Sequence, residues 1–145
     1  MSDYKHILCV VDLSQENREI AERAAELARH YGASLELLHV VEHLPSEVSN
    51  NIVLPDQMSI EDHLVATAEE GMQALKSELD APSVSIKVVL GSTKREIIDI
   101  AQGDNIDLIV IGRHGRHGVS RLLGSTANAV VHHASCDVLA VHVGK

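Results

Sequence analysis

The chain contains no phenylalanine and no tryptophan; its aromatic side chains other than histidine are Tyr4 and Tyr31. A core must therefore be built from Ile, Leu, Val and Ala, and the stacking platforms that single-strand nucleic-acid binders use are missing. Cysteine is equally scarce. Cys9 lies inside an apolar stretch and Cys136 just before another, without C-x-x-C spacing, which predicts packed, reduced thiols. No apolar run approaches the roughly 18 residues that suggest a membrane span. Asp3 and Lys5 before a short strand do not make a signal peptide, so the chain is expected to be cytoplasmic. Positive charge is in deficit too: 12 Lys and Arg against 21 Asp and Glu give a formal net charge of -9. Such a balance argues against a protein that coats nucleic acid, which needs a broad basic face.

What is present is enough for one domain over 1–145, with hydrophobic residues at 45%. Lys5 to Val11 reads as a first strand apolar on both faces. Ser14 can cap a helix from about Asn17 to Tyr31 that stops at Gly32, with Ile20, Ala24, Leu27 and Ala28 on its inner side. Leu35 to Val41 is a second strand, and residues 42–58, with Pro45 and Pro55, form a long irregular connection. A helix from Ile60 to Leu79 is opened by Ser59 and ends before Pro82. Val84 to Leu90 is a third strand, followed by a helix that Thr93-Lys94-Arg95-Glu96 would open as a capping box and that ends near Gly103-Asp104. Residues 107–111 make a fourth strand, Asn128 to His133 read as the start of a last helix, and Asp137 to Val143 are a fifth strand.

Strands alternating with helices imply right-handed crossovers and a parallel sheet covered on both faces. The two most apolar strands, 6–11 and 107–111, should be central neighbours, giving the order 3-2-1-4-5. That order reverses between strands 1 and 4, so a crevice opens at their carboxyl ends. Asp12 leaves strand 1 there and Gly112 leaves strand 4 at the same place.

The run Gly112-Arg113-His114-Gly115-Arg116-His117-Gly118, closed by Gly124-Ser125-Thr126, is the most informative segment. A strand, a glycine-rich loop and a helix opened by Ser-Thr present backbone N–H groups to an anion. Arg113, Arg116 and Arg121 add local positive charge to an acidic chain. A phosphate ligand accounts for that pattern; a plain surface loop ending in a Ser/Thr cap is the alternative. No Gly-Lys-Ser/Thr follows, so the loop is not a Walker A sequence. Asp12-Leu13-Ser14 after strand 1 holds no glycine, which excludes the dinucleotide fingerprint. A receiver domain would need an Asp at the end of strand 3, where Leu90-Gly91-Ser92 stands, and a flavodoxin would usually grip its flavin with aromatic rings.

Asp12 could bond a ribose hydroxyl or an adenine amino group, or form a local turn ahead of Ser14. Val40 could line a base pocket or sit in the core. His132 and His133 read as partners of a helix dipole, and no metal site is found. Nothing resembles a nucleophile elbow; Glu61-Asp62 and Glu69-Glu70 read as solvent-facing. No catalytic residue is assigned. Strand 5 is at a sheet edge, almost wholly apolar and without proline, which invites antiparallel pairing with a second copy.

The opening Lys5 to Ser14, Leu37-Leu38-His39-Val40 and the stretch from Asp107 to Val143 resemble the universal stress proteins of the UspA superfamily. Gly124-Ser125-Thr126-Ala127-Asn128 followed by Cys136-Asp137-Val138-Leu139 is the most specific part. The resemblance implies a five-stranded Rossmann-like α/β fold, a homodimer paired through the last strand, unidentified protein partners and roles in survival under stress. In that family a motif G-x-x-G, nine residues, then G-S/T separates ATP-binding from non-binding members. Here Gly112-x-x-Gly115 and Gly124-Ser125 are present with residues 116–123 between them, a spacer of eight; Val10 stands where binders often have proline. By residue matching, Asp12 and Val40 would touch ribose and base, and Ile111 and Gly112 the base edge and sugar. Gly115, Gly124, Ser125 and Thr126 would hold the triphosphate, with Arg116 in the same loop. The ligand implied is ATP, with or without Mg2+; any hydrolysis would be slow attack by water. A non-binding adaptor dimer is the alternative.

Overall fold

Ile7, Leu8, Cys9 and Val10 are all buried in β1 (His6–Val10), a run with no solvent-facing position after His6. A strand apolar on both sides is stable only with a layer on each face, and the computed structural model supplies both. It describes residues 3–13, 17–43, 59–79, 83–113 and 124–143. Chain order continues α1 (Asn17–Tyr31), β2 (Ser34–Val41), α2 (Ile60–Glu78), β3 (Val84–Leu90), α3 (Thr93–Gly103), β4 (Leu108–Gly112), α4 (Ser125–His133) and β5 (Asp137–Val141).

The five strands form one sheet in the order β3-β2-β1-β4-β5, as the alternation predicts, and every pair is parallel. β1 is central, with Cys9 opposite Leu37 on one side and Val110 on the other. One face packs on α1 and α2, where Ile20, Ala24, Ala28, Met72 and Leu75 meet Ile7, Cys9 and Val110. The other packs on α3 and α4, where Ile97, Ile100, Ala127 and Val130 meet Leu8, Val10, Ile109 and Ile111. Alanine is what lets α1 lie close: four of its six buried residues are Ala21, Ala24, Ala25 and Ala28.

Helix ends follow local chemistry in most places. Gly32, at φ +66°, ends α1 in the left-handed region that glycine adopts at little cost. Ser59 caps α2, its Oγ accepting from the Asp62 N–H at 3.0 Å. The expected cap Ser14, most of the 42–58 connection and Pro82 lie outside the described residues.

Three expectations need correction. The helix after the glycine loop begins at Ser125 rather than Asn128, because Gly124 takes the extended cap conformation. β5 ends at Val141 rather than Val143, since its partner β4 ends opposite it at Gly112. Thr93-x-x-Glu96 forms no capping box: the cap residue of α3 is Ser92, without a side-chain bond. Glu42, at the end of β2, takes that place, its carboxylate accepting from Thr93 Oγ1 at 2.9 Å and Thr93 N–H at 3.5 Å.

Candidate functional site

Strand order reverses between β1 and β4, so the crossovers leaving them go to opposite faces. Chain therefore separates above the carboxyl ends of these two strands, which is where an open α/β sheet holds its ligands. Asp12 stands one residue beyond Val11 at that place, and Gly112 closes β4 beside it.

The β1–α1 turn is held along its whole described length. Val11 N–H donates to the Leu38 carbonyl at 2.9 Å. His39 donates from Nδ1 to the Val11 carbonyl at 2.8 Å; a carbonyl only accepts, so Nδ1 carries the hydrogen. Leu13 has φ +64°, uncommon for a side chain of its size, and packs against α2, where Gly71 lies close to its methyl groups. Asp12 itself is gripped by Asn17: its N–H donates to Asn17 Oδ1 at 3.0 Å, and Asn17 Nδ2 donates to its carboxylate Oδ1.

On the other side of the crevice, Ala127 and Val130 anchor α4 on the sheet in the same cluster as Val10 and Ile111. Gly124 is the N-cap and offers no side chain, so the first turn of α4 has no side-chain cap. The first N–H groups of a helix have no partner within it, and its dipole favours negative charge. Gly124 N–H donates to the Arg113 carbonyl at 2.6 Å and Arg113 N–H to the Val141 carbonyl at 3.0 Å, which ties this helix start to the end of β4.

Of the expected site residues, Asp12, Gly112, Gly124, Ser125 and Thr126 are thus assembled at the carboxyl ends of β1 and β4. Val40 (7% exposed) and Ile111 (5% exposed) face the α3–α4 layer as core residues. Gly115 and Arg116, with His114, His117 and Arg121, lie outside the described residues. Arg113 is engaged elsewhere, donating to His142 Nδ1 at 2.9 Å. Its Gly124-bound carbonyl and His142-bound guanidinium make it a brace between the start of α4 and the residue after β5.

Several features escape the linear reading. Glu61 does not simply face solvent: its carboxylate meets His43 Nδ1 at 2.9 Å. Asn17 was legible only as a helix start, although an amide five residues after an acidic turn residue was the available signal. Cys9 is buried, and burial pushes its thiol up to about 12; burial also raises Cys136, helped by Asp137. Neither is a nucleophile in that state. A cleft of about 380 Å³ opens at the amino end of the sheet, lined by His6, Ser34, Glu36, Ser85, Lys87 and Asp104 among others. It lies at the opposite end of the strands from Asp12 and is separate from the switch-point crevice.

Fold and crevice define a doubly wound, Rossmann-like α/β protein with its candidate site at the switch point. Residues 3–142 match the universal stress protein family. Universal stress protein A homolog 1 of Coxiella burnetii is 41% identical over 138 residues, 95% of this chain and 96% of that protein. The structure resembles universal stress protein UspA from Lactobacillus plantarum, with a TM-score of 0.76 and 29% identity over 99% of this chain and 100% of that one. It also resembles a universal stress protein solved in complex with cAMP, with a TM-score of 0.67 and 23% identity over 97% of this chain and 98% of that one. The chain belongs to the universal stress protein family. No described helix is long and apolar enough to cross a membrane.

Proposed function

We propose that this chain is a cytoplasmic, single-domain ATP-binding homodimer that supports survival under stress through protein partners. ATP would lie in the crevice beyond β1 and β4. Asp12, a carboxylate and therefore an acceptor, would take a ribose hydroxyl or the adenine amino group. Gly112 would let the sugar approach the backbone, Val40 and Ile111 would border the base, and Gly115, Arg116, Gly124, Ser125 and Thr126 would hold the phosphates, with or without Mg2+. The observation that carries this reading is the pairing, at one switch point, of Asp12 with a helix start that no side chain caps among the described residues. The related fold solved with cAMP is a precedent for an adenine nucleotide. Gly124 N–H already donates to the Arg113 carbonyl, so within this reading Gly124 contributes close approach without a side chain, and the amides of Ser125 and Thr126 donate to the phosphates. Catalysis is not part of the proposal; hydrolysis would be at most slow.

Dimerisation through β5 is supported by its place at the sheet edge with Val138, Leu139 and Ala140 half-buried in the single chain. The second reading, an adaptor dimer without nucleotide, draws on Arg113: its contacts with Gly124 and His142 join the loop to that edge.

Calorimetry with ATP, in Mg2+ and in EDTA, separates the two. Binding that is lost in Gly115→Val, with the circular dichroism unchanged, supports the nucleotide site; no heat from wild type at millimolar ATP leaves the adaptor. Turnover abolished by Asp12→Ala or Ser125→Ala would be needed for an ATPase. Sizing should give a dimer that Ala140→Lys and Val141→Pro weaken, and a monomer at micromolar concentration would remove the dimer from the proposal.

A further inference from the structure

Among the described residues, Asn17 is the one buried polar side chain, at 4% exposure. The inner side of α1 is otherwise Ile and Ala, and alanine would suit this position better as a helix former. A buried amide is tolerated only where its hydrogen bonds are made. Both ends of the Asn17 amide are bonded, and both to one residue: Oδ1 accepts from Asp12 N–H at 3.0 Å and Nδ2 donates to Asp12 Oδ1. The reverse amide orientation would set oxygen against carboxylate and NH2 against N–H, so chemistry fixes it. One bond fixes the Asp12 backbone and the other its carboxylate oxygen, and the bonds at Val11 and the packing of Leu13 hold the residues on either side.

We infer that Asn17 is a positioning residue, which sets the Asp12 carboxylate in its ligand-accepting direction before any ligand arrives. This inference rests on the nucleotide reading of the crevice. It explains why a polar group is buried where packing alone would place Ala: a carboxylate on an unheld turn would lose rotamer freedom on binding, and a preset one has none to lose.

The test uses the full chain, with two readouts. Hydrogen exchange of the Asp12 amide needs no nucleotide and should accelerate in Asn17→Ala, which loses the acceptor. Calorimetry with ATP should show that variant about tenfold or more weaker. Asn17→Asp keeps the shape and the acceptor for Asp12 N–H but sets two carboxylates in contact. Its amide should stay protected. Its affinity relative to wild type should be lowest at pH 8 and recover toward pH 5, as one carboxyl regains a proton and can donate. Should Asn17→Ala not fold, Asn17→Asp carries the test alone, because a purely structural role would lower its melting temperature without a pH-dependent affinity ratio. Wild type that binds ATP, with variants matching it, overturns the role of Asn17 and leaves the nucleotide site standing. An Asp12 amide that exchanges alike in wild type and Asn17→Ala overturns it too. Wild type that binds no ATP overturns the nucleotide reading and this role together.

Discussion

The two ends of the parallel sheet are built differently. At the amino end, several charged and polar side chains bond one another or the backbone beside the cleft, while among the described residues Glu36 Oε1 does not. Asp107, just before β4, accepts from Lys5 N–H at 2.9 Å and His6 N–H at 3.1 Å, stitching β1 to β4 across about a hundred residues of chain. Tyr4 donates to Asp137 at 2.6 Å, His6 meets Ser34 at 3.0 Å, and Lys87 pairs with Asp104 at 3.6 Å. At the carboxyl end, Asp12 is held in place by Asn17, and among the described residues no side chain caps the α4 start. The amino end ties β1 to β4, and the carboxyl end sets a held turn beside a helix start.

A narrower contrast at the carboxyl end points the same way. α3 and α4 pack side by side on one face and both begin there. Glu42 delivers a carboxylate to the first turn of α3; α4 begins at Gly124 with no such partner among the described residues. The demand of a helix start for negative charge is met within the chain at α3 and is left for a ligand at α4.

The largest effect that would sharpen this comparison is at the amino end. Asp107→Ala should cost about 2 kcal/mol, the scale of hydrogen bonds to a charged group, in denaturant unfolding, while ATP affinity stays within twofold of wild type. A large loss of ATP affinity would erase the division between the two ends. Glu42→Ala removes the α3 cap and should cost about 1 kcal/mol; unfolding curves check it, and an unchanged midpoint would show the α3 start as uncapped as that of α4. Glu36→Gln should go the other way. Desolvation raises the Glu36 carboxyl, Lys87 opposes this and Asp104 adds to it, while its Oε1 is buried with no hydrogen-bond partner among the described residues. A raised folded pKa means that stability from this group is present below about 4.5 and lost as pH rises through the folded value. The variant should therefore match or exceed wild type at pH 7, by less than about 1 kcal/mol given its partial exposure, and lose that advantage in acid.

Tyr4→Phe should do least at neutral pH. The hydrogen bond to Asp137, with desolvation behind it, lifts the Tyr4 phenol from 10.0 to about 12. Its contribution is intact below pH 10 and disappears as pH climbs through 12. Wild type should lose stability across that alkaline window more steeply than the variant, and ultraviolet titration of tyrosinate should show one late-ionising ring that the variant lacks.

Much of this molecule could be read along the chain. The buried runs of β1 and β4, the α1 stop at Gly32 and the Ser59 cap depend on neighbours within a few residues, so pattern and composition expose them. Their alternation, with the apolar excess of two strands, was enough for strand order and hence for the switch point between Asp12 and Gly112. Side-chain partners were another matter. Thr93-x-x-Glu96 has the spacing of a cap, but Glu42, fifty-one residues away, takes the position; Glu61, read as solvent-facing, also meets His43; and of the two readings open for Val40, burial favours the core.

From the sequence by itself came the parallel doubly wound sheet and the place where it opens, because hydrophobic periodicity is local and crossover handedness leaves few topologies. Only the tertiary structure decided that Asn17 grips Asp12, that Arg113 joins Gly124 to His142, and that Glu42 caps α3 while no described side chain caps α4. Those contacts depend on distances of about 3 Å between groups whose meeting the packed layers alone bring about.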